Sequence, residues 1–356
     1  MIQRWQSYIR ANHWWAYKAA PILGFTYFYC YFFVFPLAEK LTIILLSAIT
    51  ITGIAGLGYV INDLYDIEAD QKAGKKNPFD NKSALFKIGV IVILTIIATI
   101  PWYFLKSDIY IWISLAFQML LFIVYAHPLT RLKEKSVWGP VCDALYGHAV
   151  PIIIACMTYQ QYLEQLPYSV VWFFGSLFVW QFLKGMRNIF LHQLEDYEND
   201  MQSGIQTLTT EKGRNSIYQK ILYTIIPLEI ISLFIFFISV TQPFPGIWVY
   251  FWGFILLNIY GHGLFRNVQW HPRIYSGNTY IYFLNNFYEV YLPYYFIVLC
   301  IVRSPVSAWM LVIHMLLFPS TIHIMFKDLK MFILEIWVQV KNLLYPLYKF
   351  LQKKDI

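Results

Sequence analysis

Residues 53–70 read Gly53-Ile54-Ala55-Gly56-Leu57-Gly58-Tyr59-Val60-Ile61-Asn62-Asp63-Leu64-Tyr65-Asp66-Ile67-Glu68-Ala69-Asp70. An uncharged apolar run ends in a burst of carboxylates. Continued as a helix, it sets Asp63, Asp66 and Asp70 at i, i+3 and i+7 on one face, with Asn62 one turn before Asp66. Carboxylates stacked on one stripe repel one another unless a cation sits between them. A second stretch, Asp196-Tyr197-Glu198-Asn199-Asp200, again places two aspartates one turn apart. The rest of the chain is expected to be the scaffold that brings these two acidic faces together.

Of the 356 residues, 58% are hydrophobic, 20% aromatic and only 13% charged, against about 25% charged in an average soluble domain. The apolar residues also fall in runs near the roughly 20 residues that cross a bilayer. The fold class is therefore an all-α, polytopic membrane helical bundle. Candidate spans are 16–37, 41–61, 85–105, 109–126, 138–159, 168–190, 216–240, 246–265, 281–302 and 307–326. Sorted onto alternate loops, all but Lys40, Lys106 and Arg303 of the 27 Lys and Arg fall on one side. By the positive-inside rule that side, with both termini and both acidic stretches, is cytoplasmic. The one-sided sorting also accounts for the +7 net charge without a nucleic-acid partner. No cleavable signal is expected at the start. Cys30, Cys142, Cys156 and Cys300 lie within spans and read as small core residues. The chain divides into one transmembrane domain over 1–326 and an amphipathic helix over 327–356, lying in the membrane interface and bent at Pro346.

Two carboxylate-rich helix ends on one side of a bundle suit a hard cation. Mg²⁺ takes oxygen ligands and usually binds through one or two carboxylates together with substrate phosphate. Basic residues stand beside the acids: Lys72, Lys75 and Lys76 after the first stretch, Arg131 and Lys133 in the middle loop, Arg187 and Lys212 flanking the second. Acids interleaved with bases suggest a phosphate held through metal. His192, four residues before Asp196, and its neighbour Gln193 are candidates for acceptor binding. Asp143, Asn285 and Glu289 lie in or beside apolar spans, where a polar or ionisable group is a functional candidate. An apolar, aromatic-lined chamber beneath such a site would suit an isoprenoid chain and an allylic cation.

The first acidic stretch resembles the N-D-x-x-D-x-x-x-D motif of the UbiA superfamily of intramembrane prenyltransferases. The second, with the trailing Gly204 and Thr207-Leu208, is similar to that family's D-x-x-x-D. Between them, Tyr125-Ala126-His127-Pro128-Leu129-Thr130-Arg131-Leu132-Lys133 resembles its Y-S-x-P-x-R-L-K loop. Arg10, Trp14 and Lys18 resemble an opening R-P-x-x-W element, with Ala11 where proline is usual. These pieces occur in family order over residues 10–215. The resemblance implies nine spans around a central cavity, with the tenth as a departure, re-entrant or lying on the membrane. It also implies Mg²⁺ held by Asp63, Asp66, Asp70, Asp196 and Asp200 beside Asn62, diphosphate held by Arg131 and Lys133, and Tyr125 near the reacting carbon. Lys75-Lys76-Asn77-Pro78 replaces the usual arginine-proline, and lysine supplies charge without a bidentate fork.

The function expected from these readings is Mg²⁺-dependent transfer of a prenyl group from an isoprenoid diphosphate to a lipophilic or small-molecule acceptor. Three alternatives are a membrane terpene cyclase, transfer of a polyprenyl phosphate to a sugar phosphate, and an ion-coupled transporter. The transporter predicts acids near the bilayer centre, whereas these acids gather at one face.

Overall fold

A computed structural model describes residues 6–72, 74–261 and 283–352. Among them every regular element is helical. The helices are α1 (11–32), α2 (Leu37–Lys72), α3 (Ala84–Phe104), α4 (Ile109–Ala126), α5 (Trp138–Gln160), α6 (Val170–Glu195), α7 (Tyr197–Ser203), α8 (Leu208–Lys212), α9 (Arg214–Val240), α10 (Ile247–Gly261), α11 (283–303), α12 (Ala308–Leu317) and α13 (Pro319–Gln352). Of these, α2, α3, α4, α5 and α9 are long and apolar enough to cross a membrane. The 26 residues of α6 are also long enough at 1.5 Å per residue, but Lys184 and Arg187 interrupt the apolar run. Parts of the expected spans 246–265 and 281–302 lie outside the described residues, as do Arg4, Arg266, Arg273, Lys353 and Lys354.

The chain runs up and down. Lys40 Nζ donates to Cys30 O (3.0 Å), Arg303 to Tyr31 O (2.6 Å) and Lys106 Nζ to Gln161 O (3.5 Å). These three bonds gather the three basic residues expected on the minority side at one end of the bundle, and both acidic stretches lie at the other.

Four helices share a local irregularity. In α1, α5, α9 and α11 one turn is widened to the i→i+5 pattern, at Trp15–Ala19, Leu145–Ala149, Ile221–Ile225 and Phe287–Tyr291. Each ends two residues before a proline: Pro21, Pro151, Pro227 and Pro293. Proline lacks the N–H for the i−4 carbonyl and collides with it, and a widened turn gives that carbonyl room. Three of these turns carry polar side chains into the bundle: Lys18, His148 and Glu289.

The closest approach is between α2 and α3. A Cβ on Gly53 would lie 2.3 Å from the backbone nitrogen of Ala98. Thr50 Oγ1 donates to Ala98 O (2.6 Å) and accepts from Trp102 Nε1 (2.8 Å). Small residues here let two backbones touch, which is how helices pack where lipid removes the hydrophobic incentive.

The last expected span, 307–326, is not one straight helix. α12 has ten residues, about 15 Å, and α13 departs from it at a 94° bend across Phe318. α13 starts at Pro319 rather than at 327, and its helical backbone continues through Pro346 to Gln352. Its first half packs along α10, with Asp328 buried and accepting from Tyr291 Oη (2.9 Å). Over residues 333–345 only Glu335 is even half-buried.

Replacing Gly53 with Ala forces α2 away from α3, so we expect a loss of about 1–3 kcal/mol. A thermal melt of the purified protein checks this; an unchanged Tm contradicts the packing.

Candidate active site

The loop after α2 folds back on it through Asn77. Its buried amide donates to Asp63 O (2.8 Å) and Asp70 Oδ2 (2.9 Å) and accepts from Phe79 N (2.9 Å). In the α4–α5 loop, Arg131 takes the left-handed backbone (φ 37). This turns its guanidinium onto Glu134 (2.5 Å) and toward Asp66 (3.5 Å). Two residues on, the Lys133 ammonium is bonded to both oxygens of Asp66 and to Asn62 Oδ1 (3.1 Å). Two bases distant in sequence thus meet the first acidic stripe, as the interleaving of acids and bases suggested. The Lys133 cation sits in an all-oxygen cradle from an amide and a carboxylate, a donor set that fits a hard divalent ion.

The stripe is divided in a way the sequence did not reveal. Asp63 faces away from this cradle and is 1% exposed; Arg10 grips it with a two-point fork at 3.0 and 2.7 Å. Both oxygens of Asp63 are thus engaged by a guanidinium, and Asp63 does not line the cavity described below, as Asp66 does. Among the described residues no group of three or more His, Cys, Asp or Glu is arranged to hold a metal; in the first stripe Asp63 and Asp66 are paired with bases and Asp70 accepts from the Asn77 amide.

In the second stretch α6 ends at Glu195, and Asp196 and Asp200 lie on the short α7 and its cap. His192 Nδ1 stands 3.4 Å from Asp196 Oδ2. Burial and the adjacent Asp196 carboxylate push the Asp200 carboxyl up, while the His192 and Lys75 charges draw it down. Lys75 therefore reaches the neighbourhood of Asp200 from the loop after α2. Lys76 is exposed on that loop, and Lys72 is exposed at the end of α2.

Three candidate residues belong elsewhere. Arg187 was expected beside the diphosphate, but it is wholly buried and forked onto Glu229 (2.6 and 2.9 Å), with Asn285 Oδ1 at 2.7 Å. It lies on α6 more than two turns before Asp196, and the α6–α9 interface closes over it. Gln193 points into the protein, its Oε1 accepting from Thr209 (3.0 Å), so it is not available to an acceptor. Lys212 is half-exposed and pairs with adjacent Glu211 (2.6 Å). Glu289, unpartnered by sequence reasoning, is paired with buried Lys184 (3.1 Å), whose ammonium also lies over the Tyr288 ring at 4.1 Å.

A cavity of about 440 Å³ opens at the acidic end. Arg10, Asn62, Asp66, Lys133 and His192 line its mouth, so the first stripe and the helix that ends in the second share one opening. Inward it passes Tyr59, Phe122, Tyr125 and Tyr146 and reaches Thr50, Trp102 and Tyr159. Along α2 the lining runs from Asp66 to Thr50, about 24 Å at 1.5 Å per residue. Sequence reasoning missed Gln118 as a lining residue, and it had Lys18 only as part of the opening element. A charged or amide side chain within an apolar helix is the signal that marks them.

The sequence model of the UbiA prenyltransferase family matches residues 22–287. A digeranylgeranylglyceryl phosphate synthase from Sulfolobus acidocaldarius is 25% identical over 227 residues, 61% of this chain and 69% of the relative. A solved UbiA homolog from Archaeoglobus fulgidus, bound to GPP and Mg²⁺, matches with a TM-score of 0.55 at 13% identity, over 83% of this chain and 99% of that one. The same homolog bound to DMAPP and Mg²⁺ gives 0.54 at the same identity and coverage. At that identity the likeness concerns the fold.

If Arg187 serves the α6–α9 interface, removing it alone leaves Glu229 buried and unpaired. Arg187→Met should then cost about 3–5 kcal/mol, and much of that should return in Arg187→Met/Glu229→Leu. Melting curves of the two variants decide it: a stable single variant that fails only to bind a prenyl diphosphate would restore Arg187 to the substrate site.

Proposed function

The chain belongs to the UbiA prenyltransferase family, and on that premise we propose that it transfers a prenyl group from an isoprenoid diphosphate to an acceptor within the membrane. The observation that carries this reading is the cavity, charged at its mouth and largely apolar along a length suited to an isoprenoid chain. The chain is an integral membrane enzyme; the positive-inside distribution supports a mouth facing the cytoplasm. Residues 333–345 of α13, apolar with Lys341 and exposed but for Glu335, suit a helix lying in the same interface.

Asp66 and Asn62, together with Asp70, Asp196 and Asp200, would hold Mg²⁺ with the diphosphate, and the metal would supply Lewis-acid stabilisation of the leaving group. Asp63 acts by fixing Arg10 at the mouth. Lys133 and Arg131, already poised on Asp66, stabilise the negative charge that the diphosphate gains as its bond to the prenyl carbon breaks. Lys75, and the exposed Lys72 and Lys76, add to the field that draws an anionic donor in. The rings of Tyr125, Tyr146, Tyr59 and Phe122 offer π-faces to the allylic cation. The apolar wall excludes the water that would quench it.

The name of the Sulfolobus relative makes a glyceryl phosphate lipid the first acceptor to try. We expect Asp66→Asn to lower kcat by about 10²–10³ with an unchanged melting curve, and chelation of divalent metal to abolish turnover. Undiminished transfer of label from geranylgeranyl diphosphate by Asp66→Asn would refute the assignment. Formation of a cyclic hydrocarbon or alcohol with no acceptor present would favour the cyclase.

A further inference from the structure

The cavity wall is not apolar throughout. Below the mouth, on the side formed by α1, α4 and α5, it carries Lys18, Gln118, Asp143, Tyr146 and Gly147. Lys18 is eight residues along α1 from Arg10, and Gln118 seven residues along α4 from Tyr125, so both lie about 10–12 Å deeper. The widened turns of α1 and α5 deliver Lys18 and Gly147 to this level.

The hydrogen bonds of this patch are incomplete. Lys18 Nζ donates to Gly147 O (3.0 Å) and contacts His148 Nε2 (2.8 Å), which leaves one N–H. Asp143 Oδ1 accepts from Tyr146 Oη (2.6 Å). Gln118 is fully buried; its Nε2 donates to Tyr146 O (2.8 Å), but its Oε1 has no partner. Lys18 and Asp143 face each other across Gly147 without pairing. A Cβ on Gly147 would stand 3.2 Å from Lys18 Nζ and 3.9 Å from Asp143 Oδ2, with no other neighbour within 4 Å. The missing side chain is the space between them.

A prenyl chain lying here would leave the lysine N–H, a carboxylate oxygen and the glutamine oxygen against hydrocarbon, each at the penalty of an unsatisfied buried polar group. We infer that this niche receives the hydroxyl-bearing polar head of the acceptor. Asp143 Oδ2 and Gln118 Oε1 accept from its hydroxyls, and Lys18 donates to its oxygen or acid group. The inference rests on the prenyl-transfer reading and adds to it where the second substrate lies and what chemistry it carries. Two sources share that chemistry, a polyol phosphate and a phenolic acid, and the niche binds either through the same atoms.

The test uses the full-length protein in lipid nanodiscs. Thermal shifts are read with glycerol phosphate and para-hydroxybenzoate, with their hydroxyl-free counterparts ethyl phosphate and benzoate, and separately with geranyl diphosphate plus Mg²⁺. Wild type should be stabilised by at least one hydroxylated probe and not by its counterpart; which probe acts identifies the source. Gly147→Ala fills the niche without removing a charge, and Asp143→Asn removes its acceptor charge. Both should weaken binding of that probe about tenfold or more while keeping the geranyl diphosphate shift. Variants that bind the probe as wild type does, or that lose only the geranyl diphosphate shift, overturn the niche. So does a wild type stabilised by no hydroxylated probe, the result expected if the niche holds water alone. Absence of a geranyl diphosphate shift in wild type counts instead against the prenyl-transfer reading.

Discussion

Charge inside a lipid-embedded bundle has to be compensated locally, and the arrangement of this protein follows from how that is done. Four of the ion pairs do this in two ways. Arg187 with Glu229 and Lys184 with Glu289 are sealed between helices, nearly without exposure, and each partner exists to neutralise the other. Lys133 with Asp66 and Arg10 with Asp63 stand at the cavity mouth, where a base is close enough to exchange a carboxylate for an incoming anion. The same ion-pair chemistry thus joins helices in the first set and stands beside the cavity in the second. Access to the cavity separates them.

The four proline-associated wide turns connect backbone physics to this division. A proline within a membrane helix frees a carbonyl and crowds the preceding turn. Opening that turn relieves the crowding and also changes the phase of the helix. Lys18, His148 and Glu289 lie on such turns and reach the interior from helices that otherwise present apolar faces. Of these three, Lys18 lines the cavity, whereas His148 and Glu289 are buried between helices.

Small residues do comparable work. Gly53 lets α2 and α3 meet backbone to backbone, which fixes the deep end of the cavity through Thr50 and Trp102. Gly147 opens a gap between a cation and a carboxylate. At the mouth, Arg131 accepts a left-handed backbone and Asn77 is buried in the turn of a loop, both at sites that aim charge at the acidic stripe.

The sequence by itself determined the class of the protein. Apolar runs of bilayer length, one-sided basic loops and acidic helix ends follow from composition and period alone, because the bilayer imposes both. It also singled out Asn62, Asp66, Arg131 and Lys133, which the fold brings into contact, and, through the family resemblance, Tyr125, which lines the cavity. It was silent on which way each polar side chain turns. Asp63 and Asp66 share a stripe, yet one faces Arg10 and the other the cavity, since 3.6 residues per turn spreads i and i+3 by 60°. Arg187 and Gln193 lie near the second motif in sequence but face neighbouring helices, and the partner of Glu289 is 105 residues away. The straight span expected at 307–326 broke at Phe318, because a run of apolar residues records affinity for lipid and not direction. Pairing and facing are properties of the packed bundle, where the partners of a buried charge come from helices distant in sequence. Only the tertiary structure decides them.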